Sequence, residues 1–128
     1  MSEVVPAIAI VDDDKAVQIA LTRLLRSSGM EGETFLSAVE FLQSLADRRP
    51  DCVLLDIHMP LQDGFFVLTK LREYGIRLPV VVITGMDADD ICERAMAGGA
   101  LAYLRKPLDD ETLLDAITAA IGQSSESA

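Results

Sequence analysis

Five short strand-like segments, each followed by an amphipathic stretch, predict an α/β domain with a parallel sheet and helices on both faces. Two observations carry this. The runs AIAIV at 7–11, CVLL at 52–55 and VVVI at 80–83 are apolar throughout. Strands covered on both faces read this way, whereas half-exposed strands alternate. The segments between them repeat apolar residues at three- and four-residue steps, the spacing of a helix with one buried stripe.

Taken in order, AIAIV at 7–11 is the first strand, and Asp12, Asp13 and Asp14 follow it at once. A helix is expected from about Lys15 to Ser28, with Val17, Leu21, Leu24 and Leu25 as its stripe and Gly29 as its stop. EGETFL at 31–36 reads as a short second strand. Ser37 and Glu40 form an S-x-x-E capping box, which opens a helix carrying Val39, Phe41, Leu42 and Leu45. Arg48-Arg49-Pro50 closes it, because the residue before a proline is pushed away from helical geometry. CVLL is the third strand and ends in Asp56. Gly64 to Tyr74 forms the third helix, with Phe65, Val67, Leu68 and Leu71, and stops at Gly75.

VVVI is the fourth strand, ended by Thr84-Gly85. Asp87 or Asp89 caps a helix through about Ala97, closed by Gly98-Gly99. LAYL at 101–104 is the last strand, and Lys106-Pro107 a turn. Asp109 caps a final helix that buries Leu113, Leu114, Ile117 and Ile121. The expected organisation is one domain over 1–122 and a polar, frayed tail over 123–128.

The formal charge of −10, from 21 acidic and 11 basic residues, argues against direct contact with nucleic acid, which needs Lys and Arg against phosphate. It argues equally against anionic membrane surfaces. No apolar run approaches the ~20 residues that span a bilayer, and a cytoplasmic location is expected. Cys52 and Cys92 have no metal or redox spacing; Cys52 reads as a small core hydrophobe.

The strand ends collect the chemistry. Asp12-Asp13 follow the first strand, Asp56 ends the third, Thr84 the fourth, and Lys106 lies just past the fifth. In open α/β sheets ligands sit beyond the carboxyl ends of the strands. Three carboxylates brought together there repel and cannot all stay ionised unaided. A hard divalent cation such as Mg²⁺ (or Mn²⁺), which takes oxygen ligands, resolves this. Asp56 is then placed as a nucleophile that forms an aspartyl-phosphate, with Lys106 and Thr84 on the phosphate oxygens. Phosphoryl transfer asks mainly for such positioning and charge neutralisation.

With IVDDD at 10–14, LLDIHMPLQDG at 54–64, VITG at 82–85 and YLRKP at 103–107 in this order and spacing, the chain resembles a response-regulator receiver domain, the phosphoacceptor of two-component signalling. The resemblance covers residues 7 to about 121. It implies a flavodoxin-like, CheY-like (βα)5 three-layer sandwich with a five-stranded parallel sheet of order 2-1-3-4-5. It assigns Asp56 as the phosphorylated residue. Asp13 binds the metal directly and Asp12 through water, and the backbone carbonyl of His58 completes the ligands. Thr84 bonds the phosphoryl group and Lys106 pairs with it.

The resemblance also implies a cis Lys106-Pro107 peptide and makes Tyr103 the aromatic partner of Thr84. Together these two carry the signal to the surface of the fourth helix, fifth strand and fifth helix. The implied partner is a sensor histidine kinase or a histidine phosphotransfer protein, with room for a phosphorylation-dependent dimer. Such a protein is a regulator rather than an enzyme, although it supplies catalysis for its own phosphorylation and dephosphorylation. VITGMDADD and YLRKP are most similar to the FixJ-like subfamily, whose members often carry a helix-turn-helix output domain. Two readings stay open: a stand-alone regulator, or the receiver portion of a longer FixJ-like transcriptional regulator.

Plainer readings compete at single residues. Asp12 to Asp14 fit a helix N-cap with an acidic first turn, which suits Asp14 but leaves Asp56 and Lys106 unexplained. His58 reads as a ligand or a general base, or as a solvated loop side chain; the last is preferred, with a tuning role in hydrolysis open to it. Met86, at the other tuning position, is apolar and unsuited to acid–base help. Phe65 and Phe66 are taken as packing, and Arg48-Arg49 as a solvated helix end. Tyr103 as plain packing competes evenly with its switch role. An aspartyl-phosphate phosphatase would want D-x-D where Asp56-Ile57-His58 stands. A flavin carrier of the same topology would want a Ser/Thr/Gly-rich loop in place of Asp12-Asp13-Asp14. A degenerate receiver would lack the intact set of Asp13, Asp56, Thr84 and Lys106.

Overall fold

The central strand is β3, Cys52–Asp56, and every residue in it is buried. In the computed structural model, which describes residues 5–59, 63–85 and 89–126, it lies between β1 (Ala7–Val11) and β4 (Val80–Thr84). The outer strands are β2 (Glu31–Phe35), beside β1, and β5 (Ala102–Arg105), beside β4. All pairings are parallel, and the order is β2-β1-β3-β4-β5, as expected. The helices are α1 (Lys15–Ser27), α2 (Ala38–Ser44), α3 (Gly64–Glu73), α4 (Asp89–Ala97) and α5 (Asp110–Glu126). No helix among the described residues is long and apolar enough to cross a membrane.

Successive strand residues point to opposite faces, so the apolar runs divide into two cores. Ala9, Val11, Val53, Leu55, Val80 and Val82 pack with Phe41 of α2, Val67 and Leu68 of α3 and Ala95 of α4. Ile8, Ile10, Cys52, Leu54, Val81 and Ile83 pack with Leu21 and Leu25 of α1 and Leu113 and Ile117 of α5. Burial pushes the Cys52 thiol up to about 12, which keeps it a protonated core group. α4 is the least embedded helix: among its described side chains only Ala95 is fully buried, with Ile91 and Cys92 half-buried. From α3, Phe65 lies under the Arg94 guanidinium, 3.8 Å from the ring centre, and Arg72 donates to the Ala97 carbonyl at 2.8 Å.

Local signals set most boundaries. Asp14 caps α1 through Ala16 N–H, Ser37 caps α2 through Glu40 N–H, and Asp109 accepts from Thr112 N–H. Asp63 caps α3 through Phe66 N–H. Gly29 has φ 80° and lets Met30 N–H return to the Leu25 carbonyl, the left-handed helix stop that a side chain would strain.

Several expectations shift. α2 ends at Ser44, ahead of Arg48. The next amides bond three residues back, Leu45 to Leu42 and Ala46 to Gln43, and the Ser44 hydroxyl returns to the Phe41 carbonyl, so the helix tightens into a turn. Val39 is exposed. β2 stops at Phe35, leaving Leu36 exposed. β4 takes in Thr84, and β5 is displaced one residue to 102–105. α5 continues to Glu126, through the start of the stretch expected to fray. In α1 the buried stripe is Gln18, Leu21 and Leu25, with Val17 and Leu24 only partly covered. Met86 and Asp87 lie outside the described residues.

Candidate functional site

Strand pairing brings the expected residues to the carboxyl edge of the sheet. Val11 pairs with Leu55, so Asp12 and Asp56 emerge side by side. Lys106 N–H continues the β4–β5 ladder by donating to the Thr84 carbonyl at 2.8 Å, which fixes where its side chain begins. Carboxylate oxygens of Asp12, Asp13 and Asp56 lie within 4.8 Å of one another. Asp12 and Asp56 are buried and Asp13 is exposed, so the group opens to solvent on one side. The Lys106 ammonium reaches over it, donating to Asp12 Oδ2 at 3.3 Å and lying 3.7 Å from Asp56 Oδ2.

Asp56 is the strained member. Its residue is 4% exposed, and its pKa rises from 3.8 to about 6. Burial is the largest cause. The His58 backbone N–H, 3.0 Å from Oδ1, and Lys106 oppose it, and Asp12 and Asp13 add repulsion. Lys106 moves upward in spite of its own desolvation, because Asp56, Asp12 and Asp14 favour its charge. Among the described residues, Asp12, Asp13 and Asp56 stand against the Lys106 ammonium, which leaves the pocket under-compensated. The oxygen donors, their closeness and this excess negative charge fit a hard divalent cation.

His58 presents its backbone to the site and its side chain to solvent. Thr84 is fully buried at the end of β4. Strand alternation puts it on the Val82 face, where Tyr103, paired with Val82, also packs half-buried. Thr84 and Tyr103 therefore share one side of the sheet, the side that α4 covers. The Lys106-Pro107 bond is cis.

Two residues stand out that sequence reasoning passed over. In the sequence Gly64 marks only the opening of a helix. Its N–H donates to the Ile57 carbonyl at 3.1 Å, and a Cβ here would lie 2.8 Å from Ile57 Cα and 2.9 Å from the Asp56 carbonyl. Only glycine admits this approach to the chain that leaves Asp56. Gln18 is buried and donates from Nε2 to the carbonyls of Asp12 at 2.7 Å and Phe35 at 3.1 Å. Its signal was a polar residue three before Leu21 and seven before Leu25, inside an otherwise apolar stripe.

The family model of the response regulator receiver domain matches residues 8–118, across this site and all but the last turns of α5. The chain belongs to the response regulator receiver domain family. Nodulation protein W of Bradyrhizobium diazoefficiens is 40% identical to this receiver over 111 residues, 87% of the chain and 49% of that protein. The transcriptional regulatory protein FixJ of Azorhizobium caulinodans is 35% identical over 126 residues, 98% of the chain and 59% of that protein. The receiver thus spans about half the length of the curated relatives it matches. A crystal structure of a response regulator receiver protein from Burkholderia phymatum is 42% identical, with a TM-score of 0.82 over 91% of this chain and 95% of that one. The receiver is a signalling module of two-component systems.

Proposed function

We propose that this receiver takes a phosphoryl group on Asp56 from a histidine kinase or a histidine phosphotransfer protein, and that a divalent cation assists. The observation that carries the reading is the gathering of Asp12, Asp13 and Asp56 within 4.8 Å under the Lys106 ammonium. Asp12, Asp13, Asp56 and the His58 carbonyl would hold Mg²⁺ (or Mn²⁺), Asp12 through water. The ion would cancel the carboxylate repulsion and draw charge from the phosphoryl oxygens.

In the transfer, an Asp56 carboxylate oxygen bonds to phosphorus as the phosphorus–nitrogen bond of the donor histidine breaks, and the imidazole leaves with the electron pair. Lys106 pairs with a phosphoryl oxygen, and Thr84 donates its hydroxyl to another. Dephosphorylation is attack of water on phosphorus, returning the Asp56 carboxylate. The exposed His58 side chain would tune that attack. Thr84 and Tyr103, on the α4 side of the sheet, link the phosphorylated state to the α4–β5–α5 surface, where a partner or a second copy would read it.

The test is incubation with Mg²⁺ and acetyl phosphate. The chain should gain the mass of one phosphoryl group, and the Asp56→Asn variant should gain none. An unlabelled wild type, or a labelled variant, removes the reading.

A further inference from the structure

We infer that Gln18 is a positioning residue for the acidic pocket: its side-chain amide ties the Asp12 carbonyl to the Phe35 carbonyl and so holds the loop that offers Asp12 and Asp13 to a divalent cation. This rests on the metal reading above. Both atoms bonded to Nε2 are carbonyl oxygens, so only the NH₂ end of the amide satisfies them. Gln18 sits in the first turns of α1, and its two bonds span different elements. One acceptor begins the loop after β1, and the other ends β2. The Phe35 carbonyl also receives Asp12 N–H at 3.2 Å, so Asp12 is held to the end of β2 through both its amide and its carbonyl.

The consequence reaches the carboxylates through a short chain. The Asp12 side chain accepts Asp14 N–H at 2.9 Å, and Asp14 caps α1 through Ala16 N–H. Asp13 lies between these fixed points and is exposed, so its carboxylate is placed by the backbone around it rather than by packing. Phe35 in turn is anchored edge-on against Phe41, with ring centres 5.5 Å apart. The clamp therefore refers the loop to the apolar layer under α2. Neither a hydrophobic side chain nor a carboxylate could serve here, because neither presents two donors.

The experiment compares the full chain with Gln18→Met, which keeps length and removes both donors, and with Leu21→Val, which loosens α1 one turn further on without touching the loop. Mg²⁺ alone is titrated at low temperature and followed by amide NMR shifts of Asp13 and Asp56. Amide hydrogen exchange at Asp14 is measured separately in EDTA. Gln18→Met should raise the Mg²⁺ dissociation constant about 10-fold, the low end for an outer partner of a metal ligand. It should speed Asp14 exchange, and keep the acetyl phosphate rate at saturating Mg²⁺ within about two-fold of wild type.

Leu21→Val should lower the unfolding midpoint and leave the dissociation constant unmoved. A Gln18→Met variant that binds Mg²⁺ as wild type does, or a Leu21→Val variant that weakens it equally, overturns the inference. Should Gln18→Met not fold, Gln18→Arg, which retains donors, should keep Asp14 exchange near the wild-type rate, and faster exchange there is also contrary. Wild type that binds Mg²⁺ but takes no phosphoryl group defeats the proposed function while the Gln18 comparison still stands. Wild type that does not bind Mg²⁺ defeats both.

Discussion

Replacing Asp56 with asparagine should stabilise the metal-free protein at neutral pH. The folded carboxyl titrates near 6 against 3.8 without the fold, mainly through burial. Below 3.8 the group is protonated in both states. As pH rises from 3.8 to about 6 the unfolded chain releases its proton and the folded one keeps it, so stability falls; above 6 the penalty is complete. That gap corresponds to ~3 kcal/mol. The pocket is open on the side of Asp13, and the Lys106 side chain is 29% exposed. Solvent screening therefore brings the effect to ~1–2 kcal/mol.

Asp56→Asn keeps an oxygen for His58 N–H and loses only the charge. Urea unfolding in EDTA at pH 7.5 should place the midpoint of Asp56→Asn higher by about 0.5–1 M, given a slope of ~1–3 kcal/mol/M. At pH 5 the advantage should shrink. Equal midpoints at pH 7.5, or an advantage that does not change between the two pH values, would refute the electrostatic reasoning.

Other perturbations read other parts of the site. Asp13→Ala should weaken Mg²⁺ binding by about 10-fold or more, whereas His58→Ala should leave it nearly unchanged, since the imidazole faces solvent; calorimetric titration separates them. Gly64→Ala forces a Cβ to 2.8 Å from Ile57 Cα. It should cost ~1–3 kcal/mol in urea unfolding and slow labelling by acetyl phosphate through the displaced Asp56 carbonyl. Lys106→Met removes the cation nearest Asp56 and Asp12. It should destabilise the metal-free protein by ~1 kcal/mol at pH 7.5, with much of that recovered in saturating Mg²⁺.

The sheet was legible in the sequence because both its faces are covered: β1, β3 and β4 are apolar at every position before the Asp56 and Thr84 that end the last two, and few other arrangements require that. Glycine stops and Asp or Ser caps marked most helix ends for equally local reasons. The boundaries that moved depend on contacts not written locally. α2 ends where the Ser44 hydroxyl turns back on the Phe41 carbonyl, and Val39 keeps helical spacing yet stands exposed. At the site, Asp12, Asp56 and Lys106 were visible because strand ends concentrate chemistry. Gln18 and Gly64 were not, since their roles reside in the distance between two chain segments. A buried amide bridging two carbonyls looks in sequence like one polar residue in a stripe. A glycine pressed against the chain beside Asp56 looks like a helix opener.

The thin burial of α4 has a mechanical consequence. The sheet acts as a partition, so displacing this helix opens one apolar layer and leaves the α1–α5 layer sealed. Among the described residues this gives up the burial of Ala95, partial cover over Ile91 and Cys92, a guanidinium resting on the Phe65 ring, one bond from Arg72 and some cover over the apolar layer beneath. Losing the burial of a methyl costs ~1 kcal/mol, against several for a helix seated on leucines. α4 thus belongs to the low-stability end of the molecule, where local opening is separable from global unfolding. Its amides should exchange ahead of those of α1 and α5. The domain is built like a latch, with one light part free to lift from a frame that does not follow it.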